Sequence, residues 1–404
     1  MSEARLQAFH PFLRLTALLD GIPPGSSPGP EGKPVLLHVG EPRNAPPDFV
    51  AEAIAEAAPG WSRYPPPRGD AAYRAAAVAW LERRYDLPEG FLDPERHILP
   101  LPGSREGLFF AAIVLAGAKN GPRTGRGEGK GAILMPNPAY HVYSGAAAAI
   151  GAEAVMVPAT AETGFQPEYT GLDPAVLERA ALAYLCSPAN PQGAVAEAPR
   201  QAALIDCART HGFVAAFDEC YSEIYFDAPP PGALQLAAAS GSLDQVLAFH
   251  SLSKRSSAAG LRCGFVAGDP ELIGRLDQAF RFGGAGVPLP VLAAGTRLWQ
   301  DEAHVVANRQ RYRENFDVAE RVLGNRFGAR RPAGGFFLWL DVGDGEAAAL
   351  KLWREAGIRV LPGAYMCGEE GDDSAPGAPY IRIALVDDPE LTEAALGRLV
   401  EVLQ

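Results

Sequence analysis

The chain has 404 residues, 48% of them hydrophobic, and carries a formal net charge of −12. A chain of this size can bury a large core and is expected to form two domains or one large one. The acidic balance argues against a nucleic-acid-binding role, because phosphate backbones are bound by basic surfaces.

The cysteines and the N-terminus bear on the cellular compartment. The five cysteines include no C-x-x-C pair, which is typical of free thiols in a reducing compartment rather than of a disulfide framework. The first 25 residues read as a short amphipathic helix closed by proline and glycine, without the features of a signal peptide. No stretch approaches the ~20 apolar residues of a membrane span. The sequence therefore predicts a soluble cytoplasmic protein.

Short apolar runs alternate with helical patterns over much of the chain. Ile98–Leu101 precedes a helix predicted at about 105–117. Short and uniformly apolar runs are typical of strands that are covered on both faces. The further predicted strands are Ala132–Met135, Ala154–Val157, Ala181–Cys186, Phe213–Phe217, Val246–Phe249 and Cys263–Ala267. This alternation predicts an α/β fold built on a layered sheet.

The glycine-rich stretch GPRTGRGEGKG, residues 121–131, resembles a phosphate-binding loop in composition only. Its Lys130 precedes Gly131, where such a loop requires serine or threonine. We interpret the stretch as an exposed, flexible connection between elements.

The pattern becomes less regular after about residue 285. One long helical pattern runs to about 324, and a smaller α+β arrangement follows. Its predicted elements are strands at Gly335–Leu340, Ile358–Leu361 and Tyr380–Val386, a helix at about 345–356, and a final helix opened by Asp388-Pro389. We predict a large domain over 46–285 and a small C-terminal domain over 286–404, with the N-terminal segment 1–45 packing on the small domain.

Polar residues follow five of the predicted strands, at the point where each strand ends. The segments are Gly103-Ser104-Arg105, Asn137-Pro138-Ala139-Tyr140, Asn190-Pro191-Gln192-Gly193, Asp218-Glu219-Cys220-Tyr221 and His250-Ser251-Leu252-Ser253-Lys254. Each alone is typical of a turn, but ligands bind outside the carboxyl ends of strands in open α/β sheets. Together they supply a lysine, a carboxylate, phenols, an amide, hydroxyls and an arginine. Pyridoxal phosphate requires this set of groups, and no metal site is expected.

Several motifs resemble, in order and spacing, those of the fold-type I, class I/II aminotransferases. They are GSREG, PNPAY, SPANPQG, DECYSEIYFD, SLSKRSSAAGLRCGF, WSRYPPPRGD and YIRIALVD. The resemblance covers nearly the whole chain. It implies a large domain with a mostly parallel mixed sheet sandwiched by helices, a smaller α+β domain, and pyridoxal-phosphate-dependent transamination between an amino acid and a keto acid.

The resemblance assigns the chemistry to five residues. Lys254 would hold the cofactor covalently and then move the proton at the substrate α-carbon. It must be uncharged for that step, so its pKa should be lowered by burial and by nearby positive charge. Asp218 would pair with the pyridine nitrogen, and Tyr140 would stack on the ring. Tyr221 and Asn190 would hydrogen-bond the ring oxygen.

The same resemblance implies that the cofactor phosphate is bound by the start of one helix and by a later loop. Ser104 and Arg105 would bind it through backbone groups at the start of a helix. Ser251, Ser253 and Arg262 would complete the site with hydroxyls and a guanidinium.

The resemblance also implies how the substrate and a second subunit are bound. Arg382 would clamp the substrate α-carboxylate in a bidentate manner, with Asn190 and the backbone of Gly40 nearby. Tyr64 would reach the cofactor phosphate of a neighbouring subunit, which implies a homodimer with shared sites. Asn137-Pro138 and Asn190-Pro191 are candidate cis peptides.

Long segments resemble most closely the bacterial succinyldiaminopimelate aminotransferases of lysine biosynthesis, among them HPFLRLTALLDGIPPG and LHVGEPRNAPPDFV. That resemblance implies transfer between glutamate and N-succinyl-2-amino-6-ketopimelate. The distal carboxylate of this acceptor calls for a second cation, for which Arg68, Arg255 and Arg281 are candidates. His38 and His250 match no required role and are interpreted as structural, and Cys220 as a packed residue.

Three alternatives stay open from the sequence. One is an aminotransferase for another amino acid, such as aspartate, an aromatic amino acid or LL-diaminopimelate. The second is a C–S β-lyase, which needs the same lysine and cofactor. The third is a non-catalytic relative, which should lack Lys254 or Asp218 or carry a DNA-binding domain.

Overall fold

The computed structural model describes residues 10–116, 131–284, 286–368 and 375–404. No helix within these ranges is long and apolar enough to cross a membrane. The α-helices are α1 (Pro11–Leu18), α2 (Phe49–Glu56), α3 (Ala71–Tyr85), α4 (Ser104–Ala111), α5 (His141–Ile150), α6 (Pro174–Arg179), α7 (Ala198–His211), α8 (Ala233–Ala239), α9 (Leu252–Arg255), α10 (Pro270–Gly283), α11 (Leu289–Gln300), α12 (Ala303–Leu323), α13 (Gly345–Ala356) and α14 (Pro389–Leu403). The strands are β1 (Val35–Leu36), β2 (Ile98–Leu101), β3 (Ala132–Asn137), β4 (Glu153–Pro158), β5 (Ala180–Cys186), β6 (Val214–Asp218), β7 (Val246–Ser251), β8 (Gly264–Gly268), β9 (Phe337–Asp341), β10 (Ile358–Arg359), β11 (Leu361–Pro362) and β12 (Tyr380–Ala384).

A seven-stranded sheet has the strand order β2-β8-β7-β6-β5-β3-β4. Its strands from β7 to β4 run parallel to their neighbours, whereas β8 is antiparallel to both β2 and β7. Every residue of β5, β6, β7 and β8 is buried. The uniformly apolar runs in the sequence reflect this burial on both faces. The predicted α/β fold with a mostly parallel mixed sheet is confirmed.

Alternate side chains of the sheet enter two different hydrophobic layers. Phe217 belongs to the layer that contains Trp80 of α3 and Trp299 of α11. The preceding residue, Ala216, belongs to the opposite layer, which contains Tyr143 of α5. Helices therefore cover both faces of the sheet and hold its strand ends in fixed positions.

The C-terminal elements form a second hydrophobic cluster around a three-stranded antiparallel sheet of order β11-β12-β9. The N-terminal segment joins this part of the molecule, because β1 pairs in parallel with β10, Val35 opposite Ile358. Leu15 of α1 packs with Leu361 and Met366. The domain boundaries at residues 45 and 285 stay predictions.

Two predicted elements differ from those observed. The single long helix expected to end near residue 324 is two helices, α11 and α12. Asp301 adopts extended backbone between them, and its carboxylate accepts the amide of His304 at 3.0 Å. The strand predicted at Ile358–Leu361 is two short strands, because β10 pairs with β1 and β11 pairs with β12. The stretch 121–130 lies outside the described residues, so its interpretation stays a prediction.

Candidate active site

A cavity of about 430 Å³ lies beyond the carboxyl ends of β3, β5, β6 and β7. It collects residues from all five polar segments that follow predicted strands. The predicted site residues that line it are Gly40, Ser104, Arg105, Tyr140, Asn190, Asp218, Tyr221, Ser251, Ser253, Lys254, Arg262 and Arg382. Tyr64 does not line it, and its side chain is 100% exposed.

Lys254 follows β7 and lies in the single turn of α9. Ser251 caps this turn by accepting the amide of Ser253 at 3.2 Å. The Lys254 ammonium group donates to the carbonyl oxygen of Gly40. Burial lowers the pKa of Lys254 to about 8, and the charges of Arg382 and Arg105 act in the same direction, while Cys220 and Glu41 oppose them. A fraction of this amine is therefore uncharged near neutral pH.

Asp218 ends β6 and is 2% exposed. Its Oδ2 accepts the hydroxyl of Tyr143 at 2.8 Å, and its Oδ1 accepts the amide of Cys220 at 3.3 Å. Burial raises the pKa of Asp218, although these hydrogen bonds and the charge of Lys254 lower it. Burying a charged carboxylate costs free energy, and a cationic ligand in the cavity would offset that cost.

Tyr143 has no role in the sequence analysis, because a tyrosine within a helical pattern is most often a core residue. The structure buries it completely and stacks its ring on Tyr184, with centroids 4.3 Å apart. No spacing in the sequence indicated this contact, because Tyr140 precedes α5 with extended backbone and does not share a helix face with Tyr143. Tyr143 fixes the orientation of the Asp218 carboxylate.

Arg382 lies in β12 and is 4% exposed. It donates to Asn190 Oδ1 at 2.8 Å and to the carbonyl oxygen of His38 at 2.7 Å. Burial lowers its pKa to about 10, so it is charged at neutral pH. No carboxylate of the described residues forms an ion pair with it, and its Nε lacks a hydrogen-bond partner. The guanidinium can therefore accept an anionic ligand.

Hydroxyls and a guanidinium meet beside the start of α4. The hydroxyls of Ser251 and Ser253 are 2.9 Å apart. Arg262 donates to Glu106 Oε2 at 2.9 Å and to the carbonyl oxygen of Ala259 at 2.9 Å. Gly103 precedes α4 with φ +112°, and a Cβ there would lie 2.2 Å from Arg262 Nη2. The positive φ requires glycine at this position.

The remaining predicted polar residues also face the cavity. Burial raises the pKa of Tyr221 well above its usual value, so its phenol stays protonated and can donate a hydrogen bond. The hydroxyl of Tyr140 accepts from Arg105 Nε at 3.0 Å. The predicted cis peptides at Asn137-Pro138 and Asn190-Pro191 are confirmed, and Ser187-Pro188 is also cis.

The three arginines considered for a distal carboxylate do not line the cavity. Arg255 is buried and donates to Glu302 at 2.7 Å and to the carbonyl oxygen of Leu298 at 2.6 Å. Arg68 and Arg281 both contact Asp277, at 3.5 and 3.0 Å. Their ion pairs lie elsewhere in the fold, so none of the three completes this cavity in the described chain.

The comparisons with known proteins agree with this geometry. A family model described as aminotransferase class I and II matches residues 33–399. A curated 4-dedimethylamino-4-oxo-anhydrotetracycline transaminase of Streptomyces rimosus is 37% identical over 368 residues, 90% of this chain and 92% of that protein. An aminotransferase structure from Neisseria meningitidis has a TM-score of 0.88 at 38% identity and covers 98% of each chain. A probable N-succinyldiaminopimelate aminotransferase structure from Thermus thermophilus has a TM-score of 0.81 at 25% identity and covers 97% of this chain and 99% of that one.

Proposed function

We propose that this chain, which belongs to the class I and II aminotransferase family, passes an amino group from glutamate to N-succinyl-2-amino-6-ketopimelate in the cytoplasm. Family membership makes it a pyridoxal-phosphate-dependent aminotransferase. The observation that carries the proposal is one cavity shared by the Lys254 amine, the Asp218 carboxylate and the Arg382 guanidinium. The likeness to the Thermus thermophilus structure supports the choice of acceptor. The product assay below tests it.

The residues of the cavity fit pyridoxal phosphate. Asp218 is a buried carboxylate that would pair with a protonated pyridine nitrogen, and Lys254 is a buried amine that would hold the aldehyde. Ser251, Ser253 and Arg262 offer donors to the phosphate. When bound, the cofactor supplies an electron sink for the charge that develops at the substrate α-carbon.

Lys254 is the group that moves the proton in this proposal. Its pKa of about 8 leaves part of the amine uncharged near neutral pH, and only the uncharged amine can accept a proton from the substrate. Arg382 binds the substrate α-carboxylate through its planar fork of donors. One residue thus orients the substrate while the other transfers its proton.

Three further residues would hold the cofactor in one orientation. Tyr221 would donate its phenol hydrogen to the ring oxygen, since burial keeps the phenol protonated. Asn190 shares this task and also contacts Arg382. Tyr140, which lines the cavity, would stack on the ring.

A homodimer is part of the proposal. The side chains of Tyr64 and Phe282 are 100% and 95% exposed, and large exposed aromatics are typical of protein interfaces. We propose that Tyr64 reaches the cofactor phosphate of the second subunit. Sedimentation of the holoenzyme as a monomer at micromolar concentration would contradict this arrangement.

The proposed function is tested by spectroscopy followed by a product assay. The purified protein loaded with pyridoxal phosphate should show a visible absorbance band that glutamate converts to a near-ultraviolet band. Adding N-succinyl-2-amino-6-ketopimelate should restore the visible band faster than oxaloacetate, phenylpyruvate or the keto acid of LL-diaminopimelate. The matched control is Lys254→Ala, which should lose the turnover by a factor of about 1000 or more.

Two results would overturn parts of the proposal. A protein that glutamate leaves unchanged, and that releases ammonia and pyruvate from a cysteine conjugate, would be a C–S β-lyase. A faster return of the visible band with another keto acid would keep the transaminase and replace the acceptor.

A further inference from the structure

The side chain of Arg105 has no ligand assigned to it above, where only its backbone contributes to the phosphate site. It lines the cavity, and its Nε donates to the Tyr140 hydroxyl at 3.0 Å. No described residue accepts a hydrogen bond from its two Nη nitrogens. An arginine anchored in this way presents the other two nitrogens as a fork, which matches the two oxygens of a carboxylate.

His141 lines the same cavity as the first residue of α5. Its ring lies 4.8 Å from the His10 ring and 6.0 Å from the Phe12 ring. Burial, together with the charges of His10, Arg105 and Arg382, lowers the pKa of His141 to about 3. The imidazole is therefore neutral at physiological pH, and a neutral imidazole keeps one N–H donor. No described residue takes that hydrogen bond.

The other cations that line the cavity each donate to at least one protein acceptor. Arg382 contacts Asn190 and the backbone, Arg262 is paired with Glu106, and Lys254 donates to Gly40. Arg105 is the cation of the described cavity whose two Nη nitrogens both lack a described acceptor. Apolar side chains also line the cavity and can pack on the methylene chain of a substrate: Pro11, Phe12, Leu361 and Met366.

We propose that Arg105 and His141 form a subsite for the second carboxylate of a dicarboxylic substrate, with His141 as the residue that sets this preference. The inference rests on the proposed function, because it assigns the far end of the substrate whose α-carboxylate Arg382 binds. Glutamate carries one carboxylate besides its α-carboxylate, and N-succinyl-2-amino-6-ketopimelate carries two besides the one next to its keto group. Each substrate therefore presents a distal carboxylate that this subsite would receive in its half of the reaction.

The test compares two amino acceptors of equal length, 2-oxoglutarate and 2-oxopentanoate, which differ only in the distal carboxylate. The measured quantity is the ratio of their kcat/KM values with the holoenzyme. His141→Leu, of similar size but without a donor, should lower this ratio by about tenfold or more, since hydrogen bonds to charged groups are strong. His141→Gln keeps an N–H donor and should recover most of the ratio. Arg105→Met should lower it at least as far.

A binding measurement separates this subsite from turnover. Glutarate and pentanoate, which do not react, are titrated against the visible band of each holoenzyme. The Kd of glutarate should rise about tenfold in His141→Leu, and the Kd of pentanoate should change less. If Arg105→Met fails to retain the cofactor, the two His141 variants decide the result.

The failures of the two proposals are distinguishable. A wild-type protein that shows neither the cofactor band nor a response to glutamate would overturn the proposed function. A wild-type protein that transaminates, with His141→Leu retaining both the wild-type ratio and the wild-type glutarate affinity, would overturn the subsite alone.

Discussion

The carboxyl ends of β6 and β7 have two sides with different tasks. Asp218 and Ser251 face the cavity, whereas their chain neighbours Glu219 and His250 face the packed layer around Trp80. Glu219 accepts the Tyr85 hydroxyl at 2.6 Å and the amide of residue 233 at 2.7 Å, and it lies 3.3 Å from His250 Nε2.

The two carboxylates are equally buried, at 2% exposure each. Burial raises the pKa of both, that of Glu219 to about 7. A raised pKa therefore does not distinguish the functional carboxylate from the structural one. The distinguishing feature is that Asp218 borders open space, while protein donors surround Glu219.

The largest expected effect is the difference in rate between variants of Asp218 and Glu219. Asp218→Asn should lower the rate of the glutamate half-reaction by about 100-fold or more, because it removes the charge that balances the cofactor ring. Glu219→Gln should lower that rate by less than about fivefold and should act mainly on stability. Single-turnover absorbance measures the first quantity and thermal unfolding the second. Equal losses of rate in both variants would contradict the division between the two sides.

The second expected effect concerns stability and pH. A carboxyl whose pKa is raised by folding, here from 4.5 to about 7, binds a proton in the folded state that the unfolded chain releases. Its stabilising contribution is complete below pH 4.5 and is lost as the pH rises through 7, by up to about 1.4 kcal/mol per pH unit. Glu219→Gln should remove this slope. Denaturant unfolding of both proteins between pH 5 and 8 gives the difference, and parallel curves would refute the prediction.

The smallest expected effect comes from removing the hydrogen bond between Tyr143 and Asp218. Tyr143→Phe removes one hydrogen bond to the carboxylate and should lower kcat by about fivefold. Because that bond lowers the pKa of Asp218, its loss should also shift the pH at which the visible cofactor band titrates. Tyr184→Phe is the matched control, since its hydroxyl bonds the carbonyl oxygen of Leu108 at 2.6 Å and not Asp218. A shift of equal size in the control would assign the effect to packing.

The sequence predicted the strand ends well, because the uniformly apolar runs stop at Phe217, directly before Asp218, and at Phe249, directly before the polar segment that contains Lys254. Fold class and family were predicted from the same runs and motifs. Tyr143 was missed because its partner Asp218 lies 75 positions away in the chain. A helical pattern does not reveal such a contact.

Two other errors concern a helix boundary and an ion pair. The break between α11 and α12 was missed because one capping carboxylate, Asp301, interrupts a pattern that is otherwise continuous. Arg255 is not available to a substrate carboxylate, because it forms an ion pair with Glu302. The position of an arginine in the sequence does not reveal which carboxylate pairs with it in the folded protein.

The pairing of Val35 with Ile358 determines the order in which parts of the chain can fold during synthesis at the ribosome. All strands of the large sheet lie between residues 98 and 268, so that sheet can close while the chain is still being made. The N-terminal segment must wait until nearly the whole chain has emerged before its strand partner exists. Lys254 can thus be in place before Gly40 and Arg382 reach it. A nascent chain stalled near residue 350 would carry the reactive lysine without the arginine that selects its substrate.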